Sequence, residues 1–89
     1  MRTQITQRQI DSALIILKKK VKSRLDEKGY GTFASRHEIL GILQEEYKEL
    51  VDAIHSDKTY GHEVASELLD IAVGAIFGYA CIQGLTVDW

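Results

Sequence analysis

Four acidic residues occur at helical spacing in parts of this chain that are otherwise rich in apolar residues. Glu46 and Glu49 are three positions apart, and so are Glu67 and Asp70. On an α-helix, residues i and i+3 lie on one side with about 5–6 Å between their Cβ atoms, so each pair can hold one ion from two directions. Two such pairs on packed helices would offer only carboxylate oxygens, which suit hard cations such as Mg²⁺ or Mn²⁺ and not zinc. The spacing therefore predicts a divalent-metal site formed by Glu46, Glu49, Glu67 and Asp70.

The burial expected for these acids makes their spacing informative. On a helical projection, Glu46 falls inside the apolar arc of its helix. Glu67 and Asp70 are the only charged residues between Val64 and Val87. Burying an unpaired carboxylate costs several kcal/mol in practice, so each of these side chains needs a compensating group. A metal ion would supply that compensation.

Two explanations without a metal stay open at the level of sequence. Glu45, Glu46 and Glu49 could form a solvated helix face. Glu67 and Asp70 could bond to helix ends or to lysines of the first predicted helix. An acidic cluster such as residues 45–49 is common on exposed helices, whereas Glu67-x-x-Asp70 inside an apolar helix is not. The combination of the two pairs therefore favours the metal.

The order of these acids resembles that of a known family. The segment EEYKE at positions 45–49 is followed, after seventeen residues, by ELLD at positions 67–70. This arrangement is similar to the EExxE…ExxD motif of the MazG-like all-α nucleoside triphosphate pyrophosphohydrolases. The resemblance spans roughly residues 33–82, and the segment SRHE at positions 35–38 is similar to the opening of a subgroup of small relatives.

The resemblance implies an enzyme that converts a nucleoside or deoxynucleoside triphosphate and water into the monophosphate and pyrophosphate. It implies Mg²⁺, replaceable by Mn²⁺, bound by Glu46, Glu49, Glu67 and Asp70. It places Glu45 next to these ligands as a group that positions or deprotonates the attacking water, so Glu45 and Glu46 are the expected catalytic residues. It also implies a homodimer or homotetramer.

One departure from the family supports a second hypothesis. Members of the family usually have a fourth helix whose lysine and aspartate or asparagine residues face the phosphates, and this sequence ends soon after its third predicted helix. A second subunit or the first helix would then complete the pocket. The alternative is a non-catalytic helical homo-oligomer that retains the fold and a metal or nucleotide site. A ferritin-like di-iron protein is disfavoured because such proteins use Glu-x-x-His pairs, which this sequence lacks.

Three predicted helices position these acids. The first, residues 6–28, has an apolar stripe at steps of four and three, typical of an amphipathic helix. The second, residues 36–55, follows Ser35-x-x-Glu38, which has the form of a capping box. The third, residues 62–83, is apolar nearly all round, so we expect it to be buried. The members of the stripe on the first helix are Ile10, Leu14, Leu17, Val21 and Leu25.

Length and composition indicate one all-α domain, residues 1–89, that forms an antiparallel helical bundle completed by oligomerisation. A domain of 89 residues buries only about 60–65 % of the surface that its unfolded chain exposes, yet 45 % of its residues are hydrophobic. Small helical domains often gain stability by association.

The net charge of −2 argues against nucleic-acid and membrane-surface partners. Cys81 is expected to be a buried thiol, and the absence of a signal-like N-terminus predicts a cytoplasmic location.

Overall fold

The computed structural model describes residues 2–85, which form three α-helices. They are α1 (Gln7–Lys28), α2 (Arg36–Ser56) and α3 (His62–Gln83). Residues 2–85 contain no β-strand. The predicted all-α class is therefore confirmed, and every predicted helix end lies within one residue of the observed one.

Side-chain caps set where α1 and α2 begin. The Oγ1 atom of Thr6 accepts a hydrogen bond from the amide of Gln9 at 3.2 Å, and Oε1 of Gln9 accepts one from the amide of Thr6 at 2.8 Å. At α2, the Oγ atom of Ser35 accepts from the amide of Glu38 at 3.2 Å. The Glu38 carboxylate accepts from the amide of Ala34 at 3.4 Å instead of from that of Ser35, so only the serine half of the predicted capping box forms.

An aspartate before α3 orders the turn that joins it to α2. Gly61, at the start of α3, has a left-handed backbone (φ 96°) and no side chain to cap the helix. The Asp57 carboxylate accepts hydrogen bonds from the amide of Thr59 at 2.7 Å and from the amide of Val64 at 3.4 Å. Because the hydrogen bonds from Thr59 favour its charged form, the pKa of Asp57 is lowered. The turn is thus short and ordered, and it brings α3 back alongside α2.

Two glycines of α3 allow α2 and α3 to pack closely. A Cβ atom at Gly74 would lie 3.5 Å from the side chain of Leu43, and one at Gly78 would lie 3.3 Å from that of Ile39. The contacts move backward along α2 as α3 runs forward, so the two helices are antiparallel. Helix α1 also packs on α3, which makes α3 the central helix.

The core of the isolated chain is small. Its buried residues are Ala53, Val73, Gly78 and Cys81. The prediction for Cys81 is therefore confirmed. None of the residues of α1 is buried: Leu14 is 55 % exposed, and only the C-terminal part of its apolar stripe is half-buried.

The prediction that α3 is buried is wrong for one side of the helix in the isolated chain. Leu68, Ile76 and Tyr79 are exposed, because only α1 and α2 are available to cover α3. By length and composition α3 is also long and apolar enough to cross a membrane. This is weak evidence for a membrane span, since the core helix of a soluble protein meets the same test.

We expect substitutions at two helical glycines to have opposite effects. At Gly41 no described atom would lie within 4 Å of an added Cβ, so Gly41→Ala should raise the free energy of unfolding by about 0.5–1 kcal/mol through helix propensity. Gly78→Leu should lower it by about 1–3 kcal/mol, because the new side chain would overlap Ile39. Urea unfolding followed by circular dichroism, at one protein concentration, measures both changes. Equal stability of the two variants would contradict the close packing of α2 on α3.

Candidate metal site

Three glutamates from α2 and α3 meet between these helices. Glu46 and Glu49 on α2 and Glu67 on α3 each contribute a carboxylate oxygen, and the three oxygens lie within 4.8 Å of one another. The i, i+3 spacing places the two α2 side chains together, and the antiparallel packing brings Glu67 opposite them. We refer to Glu46, Glu49 and Glu67 as the three-glutamate group. The structure thus brings together three of the four ligands predicted from the sequence.

Two carboxylate oxygens of this group are buried, and neither accepts a hydrogen bond from a residue in the described part of the chain. They are Oε2 of Glu46 and Oε2 of Glu67. A buried acceptor without a donor costs about 1–3 kcal/mol, and more when it is charged. Glu49 remains exposed. The two shielded oxygens therefore need a proton or a cation.

The surroundings of the group also oppose its ionisation. Burial raises the pKa of Glu46, and the negative charges of Glu49, Asp70 and Glu67 raise it further. Burial likewise raises the pKa of Glu67, with further contributions from the charges of Glu49 and Asp70. Like charges held this close cannot all ionise without cost. A divalent cation would remove the cost at both residues.

The donor set fits a hard divalent cation. All three groups are carboxylates, and none is the thiolate or imidazole that zinc and softer metals prefer. Protein-bound Mg²⁺ usually has one or two carboxylates, several waters and substrate phosphates as its ligands. The three carboxylates of this group are thus of the ligand type and number that fit the protein's share of such a site.

Asp70, the fourth predicted ligand, forms ion pairs with α1 instead of joining the group. Its Oδ1 atom lies 2.9 Å from Nζ of Lys20 and 3.3 Å from Nη2 of Arg24. Compensation by bases of the first helix was the alternative left open by the sequence, and the structure shows it for Asp70. The Asp70 carboxylate is still close enough for its charge to raise the pKa of Glu46 and Glu67. Its role as a ligand stays a prediction.

Glu45, the predicted water-positioning residue, lies outside the three-glutamate group. It directly precedes Glu46 on α2, and its side chain is exposed. One helical step of about 100° separates neighbouring residues, so Glu45 points to a different side of α2 from Glu46. Its catalytic role also stays a prediction.

A cleft of about 270 Å³ adjoins the group and is lined by residues of all three helices and of the loop that follows α1. At its apolar end the rings of Phe33 and Phe77 meet edge to face, with centroids 5.0 Å apart. Glu46 belongs both to the cleft and to the three-glutamate group, so the two are continuous. The charged residues that line the cleft are Arg24, Lys28, Glu46 and Asp70.

From the sequence, lysines of the first helix are predicted only as alternative partners for Glu67 and Asp70, and none of the basic residues of α1 is assigned to the site. The available signal was the four-residue spacing of Lys20, Arg24 and Lys28, which places them on one side of α1. Two of them contact Asp70, and two line the cleft. Periodicity within α1 does not reveal which neighbouring helix that side will face.

In comparisons with known proteins, no protein-family model matches this chain, and no curated protein or solved structure matches it. The MazG-like resemblance therefore stays a prediction from the motif at positions 45–70.

We expect Glu46→Gln to stabilise the metal-free protein at neutral pH. The folded-state pKa of Glu46 and Glu67 lies above the ordinary glutamate value of 4.5, so the unfolded chain loses these protons at lower pH than the folded chain does. Their contribution to the free energy of unfolding should therefore fall as pH rises from 4.5 through the raised pKa. Glu46→Gln should remove the part due to Glu46.

The measurement is urea unfolding in EDTA at a series of pH values, with the exposed neighbour variant Glu45→Gln as the control. The difference in the free energy of unfolding between the wild type and Glu46→Gln, taken at each pH, isolates the contribution of Glu46. Other groups cancel in this difference, including Asp57, whose lowered pKa makes the protein more stable as pH rises. A wild type that gains stability relative to Glu46→Gln as pH rises would contradict the electrostatic account of the group.

Proposed function

We propose that this protein is a Mg²⁺-dependent nucleoside triphosphate pyrophosphohydrolase, which converts a nucleoside or deoxynucleoside triphosphate and water into the monophosphate and pyrophosphate. The observation that carries the proposal is the convergence of Glu46, Glu49 and Glu67 within 4.8 Å, with two shielded oxygens that have no donor within residues 2–85. The resemblance of positions 45–70 to the EExxE…ExxD motif supplies the reaction. We place the activity in the cytoplasm, without a nucleic-acid or membrane partner.

The chemistry accounts for an acidic site in an enzyme that acts on a polyanion. A divalent cation at this site would neutralise phosphate charge and lower the pKa of water. The chain's own residues hold three carboxylates in fixed positions and shield two of their oxygens from solvent. They also place cations next to the group, because Lys20 and Arg24 both approach Asp70. Fixed charges of this kind are the main means by which proteins accelerate phosphoryl transfer.

Two further residues belong to the proposal through the sequence motif. We assign Asp70 as a fourth ligand, since its carboxylate lies close enough to act on the pKa of Glu46 and Glu67. We assign Glu45 to orienting or deprotonating the attacking water from the solvent-accessible side of α2.

The test of the proposal is a pyrophosphate-release assay with a panel of ribo- and deoxyribonucleoside triphosphates and Mg²⁺. We expect turnover of at least one nucleotide, abolished by EDTA. Glu46→Ala and Glu67→Ala should each lower kcat/KM by at least about 100-fold, because each removes a charged group aimed at the cation. The matched control is Glu27→Gln, which neutralises an exposed acid on α1 and should leave activity unchanged.

The second candidate function is a non-catalytic helical homo-oligomer that keeps a metal or nucleotide site. The observation that favours it is the ion pairing of Asp70, which engages one predicted ligand with α1. The same assay separates the two candidates. Mg²⁺ binding without turnover of any nucleotide in the panel would reject the enzyme and support the binding protein.

We further propose that the protein is a homodimer or homotetramer. Its accessible surface is 7259 Å², whereas a compact monomer of 10.0 kDa has about 5,200 Å². The excess is larger than the roughly 800 Å² that each partner contributes to a standard interface. A largely apolar groove between α1 and α3 is part of this uncovered surface. It is lined by Leu14, Leu17, Val21 and Ile76, together with Lys18 and Lys22.

We expect light scattering after size exclusion to give a mass of at least two chains. Leu14→Glu should lower that mass or the thermal stability, because it places a charge in the apolar groove. Lys19→Glu changes an exposed polar position of α1 and serves as the control. A monomeric and stable wild type would contradict the proposed assembly.

A further inference from the structure

Three cations of α1 form a row on one side of the helix. Lys20, Arg24 and Lys28 follow one another at steps of four residues, so successive side chains are displaced by about 6 Å along the helix axis. We call these three residues the basic row. A linear polyanion placed alongside α1 could contact all three in turn.

The basic row faces the candidate site. Lys20 and Arg24 lie 2.9 and 3.3 Å from the same oxygen of Asp70, and their side chains are only 28 % and 34 % exposed. Arg24 and Lys28 line the cleft that contains Glu46. Lys22, in contrast, is 72 % exposed and pairs with Asp26 on the surface of the same helix.

No other cation among residues 2–85 lines this cleft. Helix α3 has no lysine or arginine at all. A polyphosphate that approaches the three-glutamate group therefore meets acids from α2 and α3 and bases from α1. Lysine and arginine bind phosphate oxygens through charge-assisted hydrogen bonds, which are roughly twice as strong as neutral ones.

We propose that the basic row binds the phosphates of the nucleoside triphosphate, and that Lys20 and Arg24 exchange Asp70 for phosphate oxygens when the cation is bound. Without ligands, Asp70 pairs with both Lys20 and Arg24, and the three side chains together carry one positive charge in excess. When the cation and the triphosphate are both bound, Asp70 faces the cation and the bases face the phosphates. Lys20 and Arg24 each have an anionic partner in both states, which avoids the cost of an isolated partly buried charge. The inference rests on the proposed function.

The test is calorimetric titration with three probes: Mg²⁺ alone, inorganic tripolyphosphate with Mg²⁺, and non-hydrolysable α,β-methylene deoxynucleoside triphosphates with Mg²⁺. The test variant is Lys20→Gln/Arg24→Gln. The matched control is Arg8→Gln/Lys19→Gln, which removes one arginine and one lysine from exposed positions of the same helix. We expect the test variant to bind the two phosphate probes about 100-fold more weakly, because two charge-assisted contacts are lost. The control should bind them like the wild type.

Binding of Mg²⁺ alone separates phosphate binding from a structural role. The test variant should bind it at least as tightly as the wild type, because Asp70 is released from its ion pairs. Conservative replacement by Lys20→Arg/Arg24→Lys should restore most of the phosphate binding. Lys28→Gln leaves Asp70 and its two partners unchanged. It should weaken binding of the phosphate probes about tenfold. This variant tests the basic row even if the double variant does not fold.

Two outcomes are distinguishable. If the wild type binds both Mg²⁺ and the analogues, but Lys28→Gln and the double variant bind them as the control does, the basic row is not the phosphate site and the proposed function stands. If the wild type binds neither Mg²⁺ nor any analogue, the proposed function itself is overturned and the inference falls with it.

Discussion

The packing of α2 against α3 must overcome repulsion among the carboxylates that lie between these two helices. One carboxylate oxygen from each of Glu46, Glu49 and Glu67 lies within 4.8 Å of the others, although the charge of Glu49 raises the pKa of both Glu46 and Glu67. The close approach of the two helices at Gly74 and Gly78 opposes that repulsion, because it allows Leu43 and Ile39 to pack against α3. A metal-free chain therefore stores an unfavourable interaction that a divalent cation would relieve.

The contact between α1 and α3 also depends on charged side chains near the three-glutamate group. Helix α1 buries none of its side chains, and its closest polar contacts to α3 are the two ion pairs with Asp70. Exposed ion pairs contribute little, but these are partly buried and share one acceptor oxygen. The residues that attach α1 to α3 are thus the ones to which we assign phosphate binding. Ligand binding and helix attachment are therefore coupled in the proposed mechanism.

A thin core leaves much of the apolar surface for a partner to cover. With only four buried residues in the part of the chain described, packing within one copy provides little stabilisation. The exposed apolar groove between α1 and α3 runs along the same two helices that carry Lys20 and Asp70. In the proposed oligomer, covering this groove would also hold the bases of α1 against the site.

The three helices and the pairing of Glu46 with Glu49 could be predicted from the sequence, because both depend on local interactions. Caps such as Thr6 and Ser35 act within four residues, and the proximity of Glu46 and Glu49 follows from helix geometry alone. That Glu67 faces the α2 pair while Asp70 faces the bases of α1 could not be predicted, since it follows from the packing of the three helices. Both acids lie on one side of α3, and which neighbour each one meets depends on how the three helices are rotated and packed. Periodicity along a single helix contains no information about that arrangement.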